Sequence, residues 1–300
     1  MTASSSTPSL TYGIAPPAYR LPEATRLGRV RLQVADLDRS IAYYENVIGF
    51  RVIERAGSVA SLGAGNSVIV ELHERPGATH ITRRGQIGLY HFAILLPNRA
   101  ALGRFVKHLA AIGEYAGMSD HFVSEAVYLQ DPDGLGIEVY ADRPRSAWRA
   151  ENNQLAMSSI PLDVPSLVAE AGDEPWQGAP EGTVLGHVHL YVRDLDDAAS
   201  FYHEGLGFDK VVWSYPGALF MSAGGYHHHL GTNTWAASAP LAGEDDARLL
   251  EWEILVPDAT SVRATGESLE SRGFTVTRDD GSIAARDAWG TQVRVRPSPT

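Results

Sequence analysis

The sequence predicts an α+β fold built from four β-α-β-β-β units in two pairs, and three observations carry that expectation. The first is an internal repeat. Gly28-Arg-Val-Arg-Leu-Gln-Val-Ala-Asp-Leu-Asp38, followed by Tyr44 and Ile48-Gly-Phe50, returns in register as Gly186-His-Val-His-Leu-Tyr-Val-Arg-Asp-Leu-Asp196, followed by Phe201-Tyr202 and Leu206-Gly-Phe208. The second is a matching pair of apolar runs, Leu89-Tyr-His-Phe-Ala-Ile-Leu-Leu-Pro97 and Leu249-Leu-Glu-Trp-Glu-Ile-Leu-Val-Pro257, each trailing one copy of the repeat. The third is length: 300 residues suit two domains, each able to bury a core.

Each unit can be justified in order. A strand of alternating apolar residues ends at Asp36, or at Asp194 in the copy. Asp36 or Asp38, and their counterparts, can accept backbone N–H bonds and start a helix. Ile41, Tyr44 and Val47 then fall on one helical face, the helix stops near Gly49, and Phe50 opens the next strand. In the second unit Leu102, Phe105, Val106 and Leu109 share a helical face, with strands expected over 126–130 and 136–140. In the fourth, a helix is expected over 262–271 and strands over 274–278, 282–286 and 291–295. The expected boundaries are a mobile arm rich in Ser, Thr and Pro at 1–26, a first domain at 27–142, a linker without clear periodicity at 143–182, and a second domain at 183–300.

Composition narrows the function classes. A net charge of −11 argues against nucleic acid, whose binding rests largely on neutralising phosphates. No stretch approaches the ~20 apolar residues of a membrane helix. The absence of cysteine excludes disulfides, thiolate metal sites and cysteine nucleophiles, and makes a cytoplasmic location the expectation. No glycine-rich phosphate loop follows a strand, and no nucleophile elbow is present. A small-molecule ligand is the expected partner, and assembly into a homo-oligomer is compatible with the sequence.

Five of the eleven histidines, His187, His189, His227, His228 and His229, fall in two short apolar pieces, residues 186–192 and 225–230. In extended chain His187 and His189 share one face, as do His227 and His229, so two adjacent strands could aim imidazoles at one ion. The competing reading packs them in a polar-lined core.

The four-unit pattern, with Gly-His-Val-His-Leu, Leu-Tyr-His-Phe, Asp131-Pro-Asp-Gly-Leu-Gly-Ile-Glu138 and Gly-Gly-Tyr-His-His-His-Leu, resembles the vicinal oxygen chelate superfamily of glyoxalase I, bleomycin-resistance proteins and extradiol dioxygenases. The resemblance is greatest to two-domain catechol 2,3-dioxygenase-like proteins and covers residues 27–142 and 183–297. It implies that paired units form cupped mixed sheets holding a divalent metal, with ligands from the first and late strands. Carried over by position, the ligand places are Arg29, Glu71, His91 and Glu138 in one domain, and His187, His229 (or His227), Glu251 and Arg294 in the other. Arginine cannot release a proton to bind a metal, so an ion pair of Arg29 with Glu138 or Glu71 competes for the first cup. His187, His229 and Glu251 form the preferred set, with His91, Glu138 and Glu71 as the second candidate. Glu253 can stand in for Glu251, and pairing of Glu251 or Glu253 with Arg294 is the rival reading. Two imidazoles and a carboxylate imply Fe(II), with Mn(II) or Zn(II) as alternatives.

The resemblance further implies that His121 is an acid–base histidine and Tyr128 its neighbouring tyrosine, with His227 or His189 serving the other cup. Trp213, Tyr215, Phe220, Tyr226 and Trp235 are expected as an apolar substrate wall, with Arg294 among the substrate contacts. The implied activity is metal-dependent extradiol cleavage of a catechol-like molecule. A glyoxalase-like isomerase or lyase and a metal-free ligand-sequestering protein remain the alternatives.

Overall fold

The computed structural model describes residues 12–299. The four expected units are present. Strands β1 (Arg26–Val34), β2 (Arg51–Ala56), β3 (Val59–Ala64) and β4 (Ser67–Glu74) form the first, and β5 (Gly88–Leu95), β6 (Gly117–Asp120), β7 (Ser124–Gln130) and β8 (Gly136–Asp142) the second. A short hairpin, β9 (Ala150–Glu151) with β10 (Gln154–Leu155), lies between the halves. The third unit holds β11 (Val184–Tyr191), β12 (Asp209–Val212), β13 (Ala218–Ser222) and β14 (Leu230–Asn233), and the fourth β15 (Arg248–Val256), β16 (Val276–Asp279), β17 (Ser282–Arg286) and β18 (Gln292–Pro297).

The helices start where their caps dictate. Helix α1 (Leu37–Tyr43) begins at Asp36, whose carboxylate accepts the Arg39 N–H. It runs on as a wider turn through Ile48 and ends at Gly49, whose φ of 80° few other residues adopt. Helix α2 (Arg99–Ile112) is capped by Asn98 and closes on Gly113. It buries Leu102, Phe105, Val106 and Leu109, the face read from sequence.

The order of strands pairs the units differently from their order along the chain. One eight-stranded sheet runs β16-β17-β18-β15-β1-β4-β3-β2, so the first unit shares a sheet with the fourth. The other runs β12-β13-β14-β11-β5-β8-β7-β6, so the second shares a sheet with the third. The seams are antiparallel pairs of first strands, β1 with β15 and β5 with β11. Sequence proximity does not decide the matter, because each doubling of a connecting loop costs only about 0.6 kcal/mol in closure entropy. Consecutive units are joined instead by side chains. Tyr44 of the first unit donates its hydroxyl to Asp131 of the second at 3.3 Å, and Tyr202 of the third donates to Asp287 of the fourth at 2.8 Å. Asp131 also accepts the Asp133 and Leu135 N–H groups, fixing the Asp-Pro-Asp-Gly turn.

Residues 1–11 of the expected arm lie outside the described residues. The remainder is not free: Ile14 pairs with Lys210, Arg20 holds Asp209 through two hydrogen bonds of 2.8 and 2.6 Å, and Leu21 is buried. The linker carries helix α3 (Val164–Glu170), which lies against α2 where Gly103 leaves room; a Cβ there would stand 2.4 Å from the Leu167 carbonyl oxygen. No described helix is long and apolar enough to cross a membrane.

Candidate metal centre

The two sheets treat their ligand places differently. In the sheet of the first and fourth units those places are filled by ion pairs. Arg29 Nη1 is 2.9 Å from Glu71, Arg29 Nε is 3.2 Å from Glu253, and Arg31 Nη1 and Arg294 Nε stand 2.8 and 2.9 Å from Glu251. Glu71, Glu251 and Glu253 are buried, and each has an arginine within reach. This is the ion-pair alternative, with Glu71 rather than Glu138 as the partner of Arg29. It removes Glu251 and Glu71 from the expected metal sets and Arg294 from the expected substrate contacts.

In the other sheet three donors converge. His91 on β5 and His187 on β11 occupy corresponding positions in the first strands of their units, and Glu138 stands on β8, hydrogen-bonded beside β5. Glu138 Oε2 lies 3.0 Å from His91 Nε2 and 3.3 Å from His187 Nε2. All three side chains are buried, and their ligand atoms fall within 4.8 Å of one another. The set therefore takes His91 and Glu138 from one expected site and His187 from the other.

The donor chemistry fits a divalent ion. Neither ring nitrogen of His91 has a well-formed hydrogen bond, and Nδ1 of His187 has none. Such atoms are costly to bury unless something else engages them. Burial pushes the His187 imidazole down to about 4, leaving it neutral and able to ligate at neutral pH. Burial by itself would raise Glu138, but His187 and His91 outweigh it and hold the carboxyl well below its usual range. Two imidazoles and one carboxylate are a set suited to a divalent metal with positions open to other ligands.

The centre opens on a cavity of about 560 Å³ whose walls include Tyr128, His189, Tyr215, Phe220, His228 and Trp235. His189 does share the facing of His187. It is held by Asn233, whose Nδ2 donates to His189 Nε2 at 3.0 Å, and is buried as a neutral ring. On the cavity wall His121 Nε2 is 2.6 Å from the Tyr128 hydroxyl, and His121 Nδ1 is 2.7 Å from the Ser158 carbonyl oxygen. A carbonyl only accepts, so Nδ1 carries the proton and Nε2 accepts from Tyr128. Burial, reinforced by the Glu138 charge, raises the Tyr128 phenol well above its usual range.

The remaining expected residues lie elsewhere. Residues 225–229 precede β14 and are not strand, so the facing argument for His227 and His229 fails. His229 Nδ1 accepts the Ala223 N–H at 3.2 Å, away from the three donors. His227 is buried behind the wall. Its Nε2 is 2.8 Å from Asp142, and its Nδ1 is 2.8 Å from Nδ1 of His228. Because a carboxylate accepts, His227 presents an acceptor to His228, which lines the cavity in its place. Tyr226 spends its hydroxyl on Tyr140 and Asp142, and the partly buried Trp213 packs against the core rather than on the cavity wall. Of the expected wall, Tyr215, Phe220 and Trp235 line the cavity. Sequence reasoning missed that His91 and His187 belong together, although their shared place in the first strand of a unit was the available signal.

Comparisons with known proteins bear on the family and the fold. The family model described as "Glyoxalase/Bleomycin resistance protein/Dioxygenase superfamily" matches residues 26–139 and 184–292. "Catechol-2,3-dioxygenase" of Bacillus subtilis (strain 168) is 42% identical over 270 residues, covering 88% of this chain and 94% of the relative. "Lactoylglutathione lyase" of Salmonella typhimurium is 30% identical over 124 residues, 38% of this chain and 90% of the relative. Among solved structures, a Bacillus subtilis protein named provisionally as a dioxygenase aligns with a TM-score of 0.67 at 15% identity, covering 94% of this chain and 87% of that one. Glyoxalase I from Zea mays aligns with a TM-score of 0.56 at 20% identity, covering 91% and 92%; both likenesses concern the fold. The matches span both halves of the described chain, and the protein belongs to the glyoxalase/bleomycin resistance protein/dioxygenase superfamily.

Proposed function

We propose that the cavity beside His91, Glu138 and His187 carries out extradiol cleavage of a catechol, with Fe(II) as the resident metal. The carrying observation is the convergence of those three donors in the wall of an aromatic-lined cavity that also holds the His121–Tyr128 pair. The 42% identity to a protein named catechol-2,3-dioxygenase, across most of both chains, supports the same reading.

His91 and His187 would supply the two imidazoles and Glu138 the carboxylate. When bound, the iron would bring the two vicinal oxygens of the substrate and dioxygen together and lower the acidity barrier of the hydroxyls. The rest is the work of the chain. Tyr215, Phe220 and Trp235 provide apolar wall that orients a flat ring and limits water. Tyr128 stands on β7 directly across from Glu138, so a hydroxyl held near the donors is near the phenol. A substrate hydroxyl that hydrogen-bonds to the Tyr128 oxygen can hand it a proton as Tyr128 passes its own to His121 Nε2. The Ser158 carbonyl then steadies the cationic ring through Nδ1–H. The same histidine can return the proton later, which fits a reaction that adds both atoms of dioxygen and requires no outside reductant.

The test is anaerobic loading of purified protein with Fe(II), then measurement of oxygen uptake and of the ring-opened chromophore from catechol. Uptake of one dioxygen per catechol, lost in His187→Ala together with bound iron, is the expected result. Iron that stays bound in His187→Ala, or loaded protein inert towards catechols, overturns the proposal. Turnover of a hemithioacetal without oxygen uptake would support the glyoxalase-like alternative instead.

A further inference from the structure

The cavity is larger than a bare catechol requires. Its 560 Å³ lies in the range, roughly 300–1,000 Å³, of sites that take drug-sized molecules. One stretch of its wall is the loop from Ile81 to Gln86, which carries two exposed arginines, Arg83 and Arg84. No ion pair among the described residues involves either. Glu138 is the single carboxylate among the cavity's lining residues and is already engaged by two histidines. A chain of net charge −11 thus has a patch of unpaired positive charge in the wall of its cavity.

The loop is built to hold that patch in place. The Ile81 N–H donates to the Asp133 carbonyl at 2.9 Å, and the Ile87 N–H to the Pro240 carbonyl at 2.8 Å. The buried Gln86 amide donates to the Ala247 carbonyl at 2.9 Å. Arg84 has a φ of 61°, a left-handed conformation that glycine or asparagine would adopt at less cost. A strained non-glycine residue at a cavity wall is an outlier that invites a functional explanation. Tyr90 and Tyr191 line the same cavity with their rings 4.9 Å apart, and Tyr90 packs 4.6 Å from His91. The arginines and the three donors thus line one cavity, with Tyr90 beside His91.

We infer that the site selects catechols bearing a carboxylate on a side arm, the ring lying beside His91, Glu138 and His187 and the carboxylate paired with Arg83 and Arg84. The inference deepens the ring-cleavage reading and rests on it for the catechol half. Guanidinium is suited to a carboxylate because its N–H groups match the two oxygens in a forked geometry.

The test uses the full chain, without iron, and two probes of similar size, phenylacetate and 2-phenylethanol. Binding is followed by tryptophan fluorescence, since Trp235 lines the cavity. Phenylacetate is expected to bind about tenfold tighter than the alcohol, with an advantage that shrinks as salt rises and disappears in an Arg83→Gln/Arg84→Gln double variant. The alcohol's affinity in the double variant stays unchanged, which separates a lost anion contact from a misfolded loop. Equal binding of the two probes, or a preference that survives the double variant, overturns the inference. The two readings fail separately. Preference for phenylacetate with no ring cleavage by the iron-loaded protein supports the anion site and sinks the cleavage reading. Cleavage of catechol with no preference for a carboxylate arm sinks the anion site.

Discussion

His187 Nε2 lies 3.3 Å from Glu138 Oε2, although the two residues are 49 positions apart and belong to different repeat units. The contact exists because β11 and β5 pair as the seam of one sheet while β5 and β8 pair within a unit. Replacing Glu138 with Gln keeps the shape and removes the charge. The variant is expected to bind Fe(II) at least about 100-fold more weakly, a loss no smaller than that of an outer-shell partner. Elemental analysis after dialysis checks it, and full metal content in Glu138→Gln would rule the carboxylate out as a ligand.

Glu251 provides the contrast. It is buried, with Arg31 and Arg294 on one oxygen and the Gln292 amide on the other. Glu251→Ala leaves the partly covered Arg294 without its carboxylate and Arg31 with Glu71 alone, at a cost of about 3 kcal/mol. Urea denaturation of the metal-free protein measures this. The metal content of the folded variant is expected to match the parent, because the residue lies in the other sheet.

The His121–Tyr128 pair should affect turnover and not metal content. General acid–base groups contribute typically 10²–10⁴-fold, so His121→Ala is expected to lower kcat by about 100-fold or more with iron retained. Tyr128→Phe should follow in the same direction. Steady-state kinetics alongside iron analysis decides the matter, and an unchanged kcat in both variants would remove the pair from the mechanism.

Acid sensitivity should trace in part to His229. Burial pushes its imidazole down to about 3, with His227 and His187 adding to the effect. The unfolded chain takes up this proton near pH 6.5, the folded chain only near 3. Stability from this group is therefore intact above pH 6.5 and declines as pH falls towards 3, by a few kcal/mol in all. His229→Gln, which can still accept the Ala223 N–H, should flatten the slope of unfolding free energy between pH 6.5 and 4. An unchanged slope would place the acid sensitivity in other groups.

Much of this protein was legible in its sequence because its signals are local. The repeat, the alternating strands, the cap at Asp36 and the buried face of α2 depend on neighbours a few residues away. His91, Glu138, His187, His121 and Tyr128 could each be picked out as candidates by residue type and place within a unit. What the sequence left open was which units meet. All four first strands are apolar and able to pair, loop length discriminates weakly between partners, and consecutive units would have put His187 with Glu251. The tertiary structure decided otherwise: pairing β5 with β11 brought His187 to His91 and Glu138, and pairing β1 with β15 gave Glu251 to Arg31 and Arg294. Side-chain identity along the chain selected the donors, and the choice of seam, a long-range property of two whole sheets, determined which of them share a site.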